Sequence, residues 1–129
     1  MDKERKICGH PVKFIFENST RRIIAVIDGC TYDAIHYITD ITGIDAMHEN
    51  YKMRHSYRSS ATCNPDDEFD MELGRRIAYR RLLRKYLRYR NARIEWFCSY
   101  LGDCRRKLML RYNNASFHAS VIDPLEGVK

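Results

Sequence analysis

Hydrophobic and polar positions near the N-terminus follow a pattern that predicts a β-hairpin. Branched and aromatic residues fill residues 12–16 and 21–27, and a polar stretch containing Asn-Ser joins them. Such residues favour the pleated surface of a strand. Asp28-Gly29 follows the second segment and predicts a turn in which Gly29 adopts positive φ. Two strands alone would be marginally stable, so we expect further elements to cover them.

The middle of the chain has a less regular pattern. Mixed helical spacing predicts a short helix from Tyr32 to about Thr42 that stops at Gly43, and an irregular insertion through His48 and Asn50 is the alternative. A third strand is predicted at about 53–63. Its alternation would place one set of side chains on the same face: Met53, His55, Tyr57, Ser59 and Ala61.

Pro65 and the acidic residues after it predict the end of this strand and the start of a long helix. Either Asp67 or Asp70 can cap the first backbone N–H groups. The helical pattern then runs to Leu101, and Gly102 is typical of a C-terminal cap. A second helix over about 103–112 and a strand over 115–122 complete the predicted elements.

These elements predict an α+β fold, with a small antiparallel N-terminal β-sheet packed on a long C-terminal helix that is followed by a second, shorter helix. The chain is 44% hydrophobic, which is sufficient for one core. We therefore expect a single domain over residues 1–129. Its predicted parts are a β-rich part at about 12–63, a helical basic part at about 66–112, and flexible ends at 1–10 and 123–129.

The long helix is predicted to pack through one apolar face. Five residues at spacings of three, four or seven form the expected stripe, with Leu82, Tyr86 and Phe97 on the neighbouring row. The stripe consists of Leu83, Leu87, Ile94, Cys98 and Leu101.

The end of the long helix is predicted to contact a second copy of the chain. It has more apolar area than a free surface helix needs, from Trp96, Phe97, Tyr100 and Leu101.

Positive charge is concentrated on the same helical segment. Residues 71–112 contain thirteen lysines and arginines against three acids, a local charge of about +10, and eleven of the thirteen are arginine. The guanidinium group makes forked hydrogen bonds to phosphate, so this choice favours recognition of a phosphate. A solvated helix face is the alternative, although such a face usually alternates in sign. Four arginines spaced four residues apart form what we call the arginine row: Arg76, Arg80, Arg84 and Arg88.

Aromatic and polar residues beside this segment are candidates for the rest of a nucleotide site. Tyr57 and Phe69 can stack on a base, and Asn64 and Asp67 can accept hydrogen bonds from ribose hydroxyls. A core position for Phe69 and a turn or cap for Asn64 and Asp67 are the plainer alternatives. The predicted ligand-binding set is Tyr57, Arg58, Asn64, Asp67, Phe69, Arg75, Arg76, Arg80, Arg84 and Arg88.

The sequence offers no pattern that predicts catalysis, a cofactor or a membrane span. It has no Gly-rich phosphate loop, nucleophile elbow or acid dyad, and no apolar run approaches the roughly twenty residues of a spanning helix. The five cysteines are expected to be reduced thiols of a cytoplasmic protein. Cys8-Gly9-His10 supplies two candidate zinc ligands, but the sequence does not place two more, so we expect no metal.

The segment from Ala61 to Ala78 resembles small bacteriophage proteins in which a strand leads through Cys-x-Pro-x-Asp-x-Phe-Asp and a glycine into a basic helix. Together with the N-terminal hairpin, residues 12–90 resemble the phage family of Thoeris anti-defence proteins, which sequester cyclic ADP-ribose signals. The long arginine-rich extension and residues 43–50 depart from that pattern. The motif positions are Cys63, Pro65, Asp67, Phe69, Asp70, Gly74 and Ala78.

The resemblance implies a non-catalytic homo-oligomer, associated through its helices, that binds a nucleotide second messenger in the cytoplasm of the host. The ligand would be of the cyclic ADP-ribose or cyclic oligonucleotide type. The charge pattern leaves two alternatives open: a basic module that binds nucleic acid, and a protein inhibitor of a host defence nuclease.

Overall fold

The computed structural model describes residues 5–122, with side chains through residue 114, and has an α+β fold as predicted. Within this range, residues 5–94 form one compact unit and residues 95–122 another. The prediction of a single domain stays a prediction. In chain order the elements are β1 (Lys6–Ile7), β2 (His10–Pro11), β3 (Lys13–Glu17), β4 (Arg22–Ile27), α1 (Asp33–Thr42), a 3₁₀ helix (Glu49–Tyr51), β5 (Tyr57–Thr62) and α2 (Met71–Ile122).

Strands β3, β4 and β5 form an antiparallel sheet in that order. Alternate residues of β4, namely Ile23, Ala25 and Ile27, are at most 1% exposed, and the register sets Tyr57 opposite Ile27 and Ala61 opposite Ile23. The predicted hairpin and third strand are confirmed. However, β5 begins at Tyr57, because the backbone before it is used in loop hydrogen bonds, such as Met53 N–H to the Thr31 carbonyl at 2.8 Å.

Helix α2 packs on this sheet through small and large residues on one face. Ala78, Leu82 and Tyr86, at i, i+4 and i+8, are 0% exposed. Leu83 and Leu87 of the predicted stripe pack beside them and are only half-buried, and Cys98 is exposed. The predicted neighbouring row of Leu82, Tyr86 and Phe97 is thus the buried one, and the predicted stripe flanks it, because the close approach occurs where Gly74 and Ala78 present almost no side chain.

The predicted helix ends are partly confirmed. The Asp70 carboxylate accepts a hydrogen bond from the Leu73 N–H at 3.1 Å, so Asp70 caps α2. Helix α1 ends at Gly43, whose φ of 71° is left-handed. Gly29, after β4, has a φ of 81° as predicted.

Two short strands lie before residue 12, where the predicted β-rich part was to begin, and the prediction of flexible ends at 1–10 and 123–129 stays a prediction. Strands β1 and β2 pair as a short hairpin, and Val12 N–H donates to the Arg5 carbonyl at 2.8 Å. Ile7 is 1% exposed within the core, and its burial holds the hairpin on the sheet. Residues 1–4 and 123–129 lie outside the described residues.

Helix α2 continues unbroken through Gly102 to Ile122, so the predictions of a cap at Gly102, a second helix and a strand at 115–122 are wrong. A glycine inside a helix costs only about 1 kcal/mol relative to alanine, and the strong helix formers that follow at residues 105–110 offset this cost. Asp103 does not begin a new helix, since its carboxylate pairs with Arg106 one turn later in the same helix.

We expect alanine at the two α2 glycines to have opposite effects. A Cβ on Gly74 would lie 2.6 Å from Ile23 Cδ1, whereas a Cβ on Gly102 meets nothing within 4 Å. Overpacking of a core costs about 1–3 kcal/mol and exceeds the roughly 1 kcal/mol gained in helix propensity, so Gly74→Ala should lower the free energy of unfolding. Gly102→Ala should preserve or raise helicity.

Urea unfolding followed by circular dichroism measures both variants. Equal effects of the two substitutions would contradict the close packing of α2 on β4.

Candidate functional site

The arginine row lies on the solvent face of α2. Arg80, Arg84 and Arg88 are exposed, and none has a hydrogen bond, an ion pair or an aromatic partner within residues 5–122. Arg76 is 4.0 Å from a Glu72 carboxylate oxygen that also binds Arg5. The row therefore presents three uncompensated guanidinium groups and one that is weakly paired.

Basic residues on the neighbouring face of α2 have structural partners instead. Arg81 donates to the Ser60 carbonyl at 2.8 Å and Lys85 to the Arg58 carbonyl at 3.0 Å. Both acceptors belong to β5, which is an edge strand of the sheet. Cationic side chains thus satisfy backbone groups that would otherwise be unpaired at that edge.

Two residues of the predicted ligand-binding set are used in packing. Tyr57 is 3% exposed, and its ring contacts those of Tyr86 and Tyr89 at centroid distances of 6.1 and 5.4 Å, so no face of Tyr57 is open to a base. Arg75 is half-buried, with its guanidinium 6.0 Å from the centre of the Phe14 ring. The side chain of Arg58 is exposed.

Three further residues of the predicted set meet at a cavity of about 880 Å³ where β5 leads into α2, which we call the entrance cavity. They are Asn64, Asp67 and Phe69. Asn64 Oδ1 accepts the Asp66 N–H at 3.2 Å, which is the expected turn. The half-buried Phe69 ring contacts the Phe16 ring at 5.1 Å.

Arg21 fixes the loop that borders the entrance cavity. Its guanidinium donates to the Pro65 carbonyl at 3.3 Å and to the Asp67 carbonyl at 3.0 Å, and lies 5.7 Å from the Phe69 ring centre. Sequence reasoning missed this residue. Its only local signal in the sequence is its place beside the predicted Asn-Ser turn, and in the structure it is the last residue of that turn, with a positive φ of 51°.

The ionisable side chains that line the entrance cavity are acidic, while arginines lie at its border: Arg5 pairs with Glu72, and Arg21 lies beside Phe69. Four carboxylates line the cavity, and no lysine or arginine of the described chain belongs to the lining. Like charges would repel a phosphate at this place. The structure thus separates the predicted set into an acidic cavity and a basic row. The four carboxylates are those of Asp67, Glu68, Asp70 and Glu72.

A second group of polar side chains surrounds the Asp33 carboxylate at the start of α1, and we call it the Asp33 cluster: His10, Cys30, Asp33 and Tyr86. His10 Nε2 and the Tyr86 hydroxyl each lie 2.6 Å from Asp33 Oδ2. Burial, followed by the nearby Asp33 carboxylate, raises the pKa of Cys30 to about 12. Burial and the hydrogen bond to Asp33 also raise the pKa of Tyr86 far above its usual value.

The Asp33 cluster is the group in the described chain whose atoms could hold a metal. One donor atom from each of His10, Cys30 and Asp33 lies within 4.8 Å of the others. Of these three residues, the sequence indicated only His10 as a candidate metal ligand, through the Cys8-Gly9-His10 segment. Asp33 and Tyr86 are 53 residues apart and meet only because α2 crosses the start of α1.

Self-association through α2 stays a prediction. Within the second unit, Trp96 is 58% and Tyr100 57% exposed, whereas Phe97 is 4% exposed. Phe97 is therefore almost fully covered within the described chain, whereas more than half of Trp96 and of Tyr100 is exposed.

We expect Arg21→Lys to destabilise the protein by about 1–2 kcal/mol, because one ammonium group cannot reproduce the forked contact with two carbonyl groups. Lysine preserves the charge, so the effect isolates geometry. The matched control is Arg80→Lys, which should change the urea midpoint very little, since Arg80 is exposed and unpartnered. Equal midpoints for the two variants would contradict the role given to Arg21.

No helix within residues 5–122 is both long enough and apolar enough to cross a membrane. The resemblance to the Thoeris anti-defence family stays a prediction. Comparison of the chain with protein families, with curated proteins and with solved structures gives no match.

Proposed function

We propose that this protein binds the phosphate backbone of a nucleic acid through the arginine row of α2. The observation that supports it is the row of exposed guanidinium groups at Arg80, Arg84 and Arg88, none of which has a partner within the described chain. Like charges four residues apart on a helix repel one another by a few tenths of a kcal/mol per pair. A polyanion relieves this repulsion and gains charge-assisted hydrogen bonds.

The shape of the row favours an extended ligand. Four-residue steps along a helix advance about 6 Å each, so Arg76 to Arg88 span about 18 Å along the helix axis. This line lies on an exposed surface and not around a cavity, so it can contact several successive phosphates but cannot enclose one small nucleotide. Phosphate contacts of this kind give affinity without reading the base sequence.

We expect the affinity for nucleic acid to fall steeply with salt and to depend on the row. Each neutralised phosphate contributes about 0.7–0.9 to the slope of log affinity against log salt, so Arg80→Ala/Arg84→Ala/Arg88→Ala should lower that slope by about 2–3. Fluorescence anisotropy with labelled single-stranded and double-stranded oligonucleotides, over a range of salt concentrations, measures the slope.

Two matched variants control this experiment. The triple lysine variant at the same positions retains the charge and should retain most of the slope. Arg105→Ala/Lys107→Ala/Arg111→Ala removes the same charge from exposed positions of the second unit. This variant should retain the part of the salt slope that the arginine row contributes. Absence of binding by the wild-type chain at low salt would reject the proposal.

A second candidate function is the sequestration of a nucleotide signal, and the entrance cavity favours it. The cavity is large enough for a nucleotide, and it brings Asn64 and Asp67 beside Phe69. Carboxylate and amide oxygens accept hydrogen bonds from ribose hydroxyls or an adenine amino group. The acids that line the cavity favour a phosphate position at its border, beside an arginine such as Arg76 or Arg21.

A thermal-shift panel of cyclic ADP-ribose isomers and cyclic oligonucleotides tests this second function. A ligand at a hundredfold excess over its dissociation constant stabilises the folded state by about 2.7 kcal/mol, so the melting temperature should rise. Asn64→Ala/Asp67→Ala should abolish the shift, whereas the triple alanine variant of the row should not. A panel without any shift contradicts sequestration and leaves the nucleic-acid proposal standing.

A further inference from the structure

Two short turns, one near the N-terminus and one before α1, carry four side chains of the types that bind metals, and the donor atoms of three of them converge. Cys8 and His10 come from the turn between β1 and β2, where Cys8 and Gly9 have φ values of 48° and 85°. Cys30 and Asp33 come from the segment between β4 and the first residue of α1, where Asp33 N–H donates to the Cys30 carbonyl at 3.1 Å. Each turn therefore supplies a pair of ligands, at spacings of two and three residues.

The donor atoms of three of these residues are close enough to bind a single ion. Those of His10, Cys30 and Asp33 lie within 4.8 Å of one another, and His10 Nε2 is 2.6 Å from Asp33 Oδ2. Zinc bonds of about 2.0–2.3 Å in a tetrahedron place ligand atoms roughly 3.3–3.8 Å apart. The separations in the cluster bracket these values, so small adjustments of the three side chains would bring their donor atoms to the distances of a coordination shell.

Cys8 borders the same cluster and is the candidate for a fourth ligand, although its sulfur is not one of the three donor atoms that lie within 4.8 Å of one another. Its sulfur accepts a hydrogen bond from Arg90 at 3.4 Å and interacts with the Tyr86 hydroxyl, which itself lies 2.6 Å from Asp33 Oδ2. Cys8 is exposed, so rotation of its side chain is not blocked by core packing. Gly29 lies beside His10, since a Cβ there would be in ordinary contact with His10 Nδ1 at 3.7 Å, and its φ of 81° favours glycine in this turn.

We propose that Cys8, His10, Cys30 and Asp33 bind one zinc ion in a closed, four-coordinate structural site. A mixed set of sulfur, nitrogen and oxygen donors matches zinc and excludes magnesium and calcium, which require oxygen donors. The site does not depend on the arginine row, and its failure would leave the proposed function unaffected.

The charge balance and the surrounding contacts fit this ion. Zinc with two thiolates, one carboxylate and a neutral imidazole carries a net charge of −1. The Arg90 guanidinium beside the Cys8 sulfur offsets that charge. The Tyr86 hydroxyl donates to the Asp33 carboxylate, and such outer contacts orient ligands in metal sites.

The ion would join elements that the sheet does not connect directly. It would hold the β1–β2 turn to the start of α1, and Tyr86 would extend the connection to α2 through Asp33. Because such a site does not exist in the unfolded chain, binding of the metal would stabilise the fold.

The metal content of the full-length chain tests the proposal. Protein produced with zinc in the culture medium and desalted without chelator should contain about one zinc per chain by elemental mass spectrometry. Cys30→Ser and His10→Ala should reduce that content to a small fraction of the wild-type value. Cys98→Ser removes an exposed thiol far from these turns in sequence and should retain the zinc.

Cobalt(II) titration of the chelator-stripped wild-type chain gives a measurement that does not depend on folded variants. A thiolate-to-cobalt charge-transfer band together with tetrahedral d–d bands is expected, and Cys8→Ser should lower the charge-transfer intensity by about half. A wild-type chain with neither zinc nor a charge-transfer band overturns the site and makes the cluster a hydrogen-bonded network only. An unchanged band in Cys8→Ser overturns the assignment of the fourth ligand.

Discussion

The hydrogen bond between the Tyr86 hydroxyl and the Asp33 carboxylate is the interaction on which the arrangement of the first unit depends. Tyr86 is 0% exposed, so its ring stabilises the core while its hydroxyl requires a buried partner. Asp33 supplies that partner and also binds His10. One carboxylate thereby connects α2, α1 and the β1–β2 turn, and loss of any member would leave a polar group without its partner in a largely buried place.

The amphipathic helix α2 separates its basic residues by function. Residues facing the sheet edge bind backbone carbonyl groups, as Arg81 and Lys85 do on β5. Residues one step further around the helix, such as Arg84 and Arg88, face solvent. A large local charge therefore includes structural cations as well as free ones, and only the free ones are available to a partner.

Electrostatics also separates the two places at which a ligand can bind. The entrance cavity is lined by carboxylates near the start of α2, and the arginine row begins about one turn later, at Arg76. A small nucleotide whose sugar and base lie in the cavity would also have to place its phosphate at the row, so it would contact both surfaces. A polyanion needs only the row, and this simpler requirement favours nucleic acid over a small nucleotide.

Local signals in the sequence determined much of the fold. Alternation predicted β3 and β4, Gly29 and Gly43 marked the expected left-handed turns, and the acidic segment correctly contained the cap at Asp70. These features depend on residues that are neighbours in the sequence, and the conformational preferences of such residues can be predicted without the rest of the chain. The arginine row could also be predicted, because helical spacing alone puts residues four apart on one face.

The tertiary structure decided which residues are buried and which side chains meet. Small residues at Gly74 and Ala78 let α2 approach β4, and this shifted the buried face by one position from the expected stripe. Continuation of α2 through Gly102 reflects a balance of helix propensities that no single residue reveals. The burial of Tyr57 depends on packing between distant segments of the chain. The meeting of the side chains in the Asp33 cluster depends on such packing too, so a local sequence pattern could predict neither.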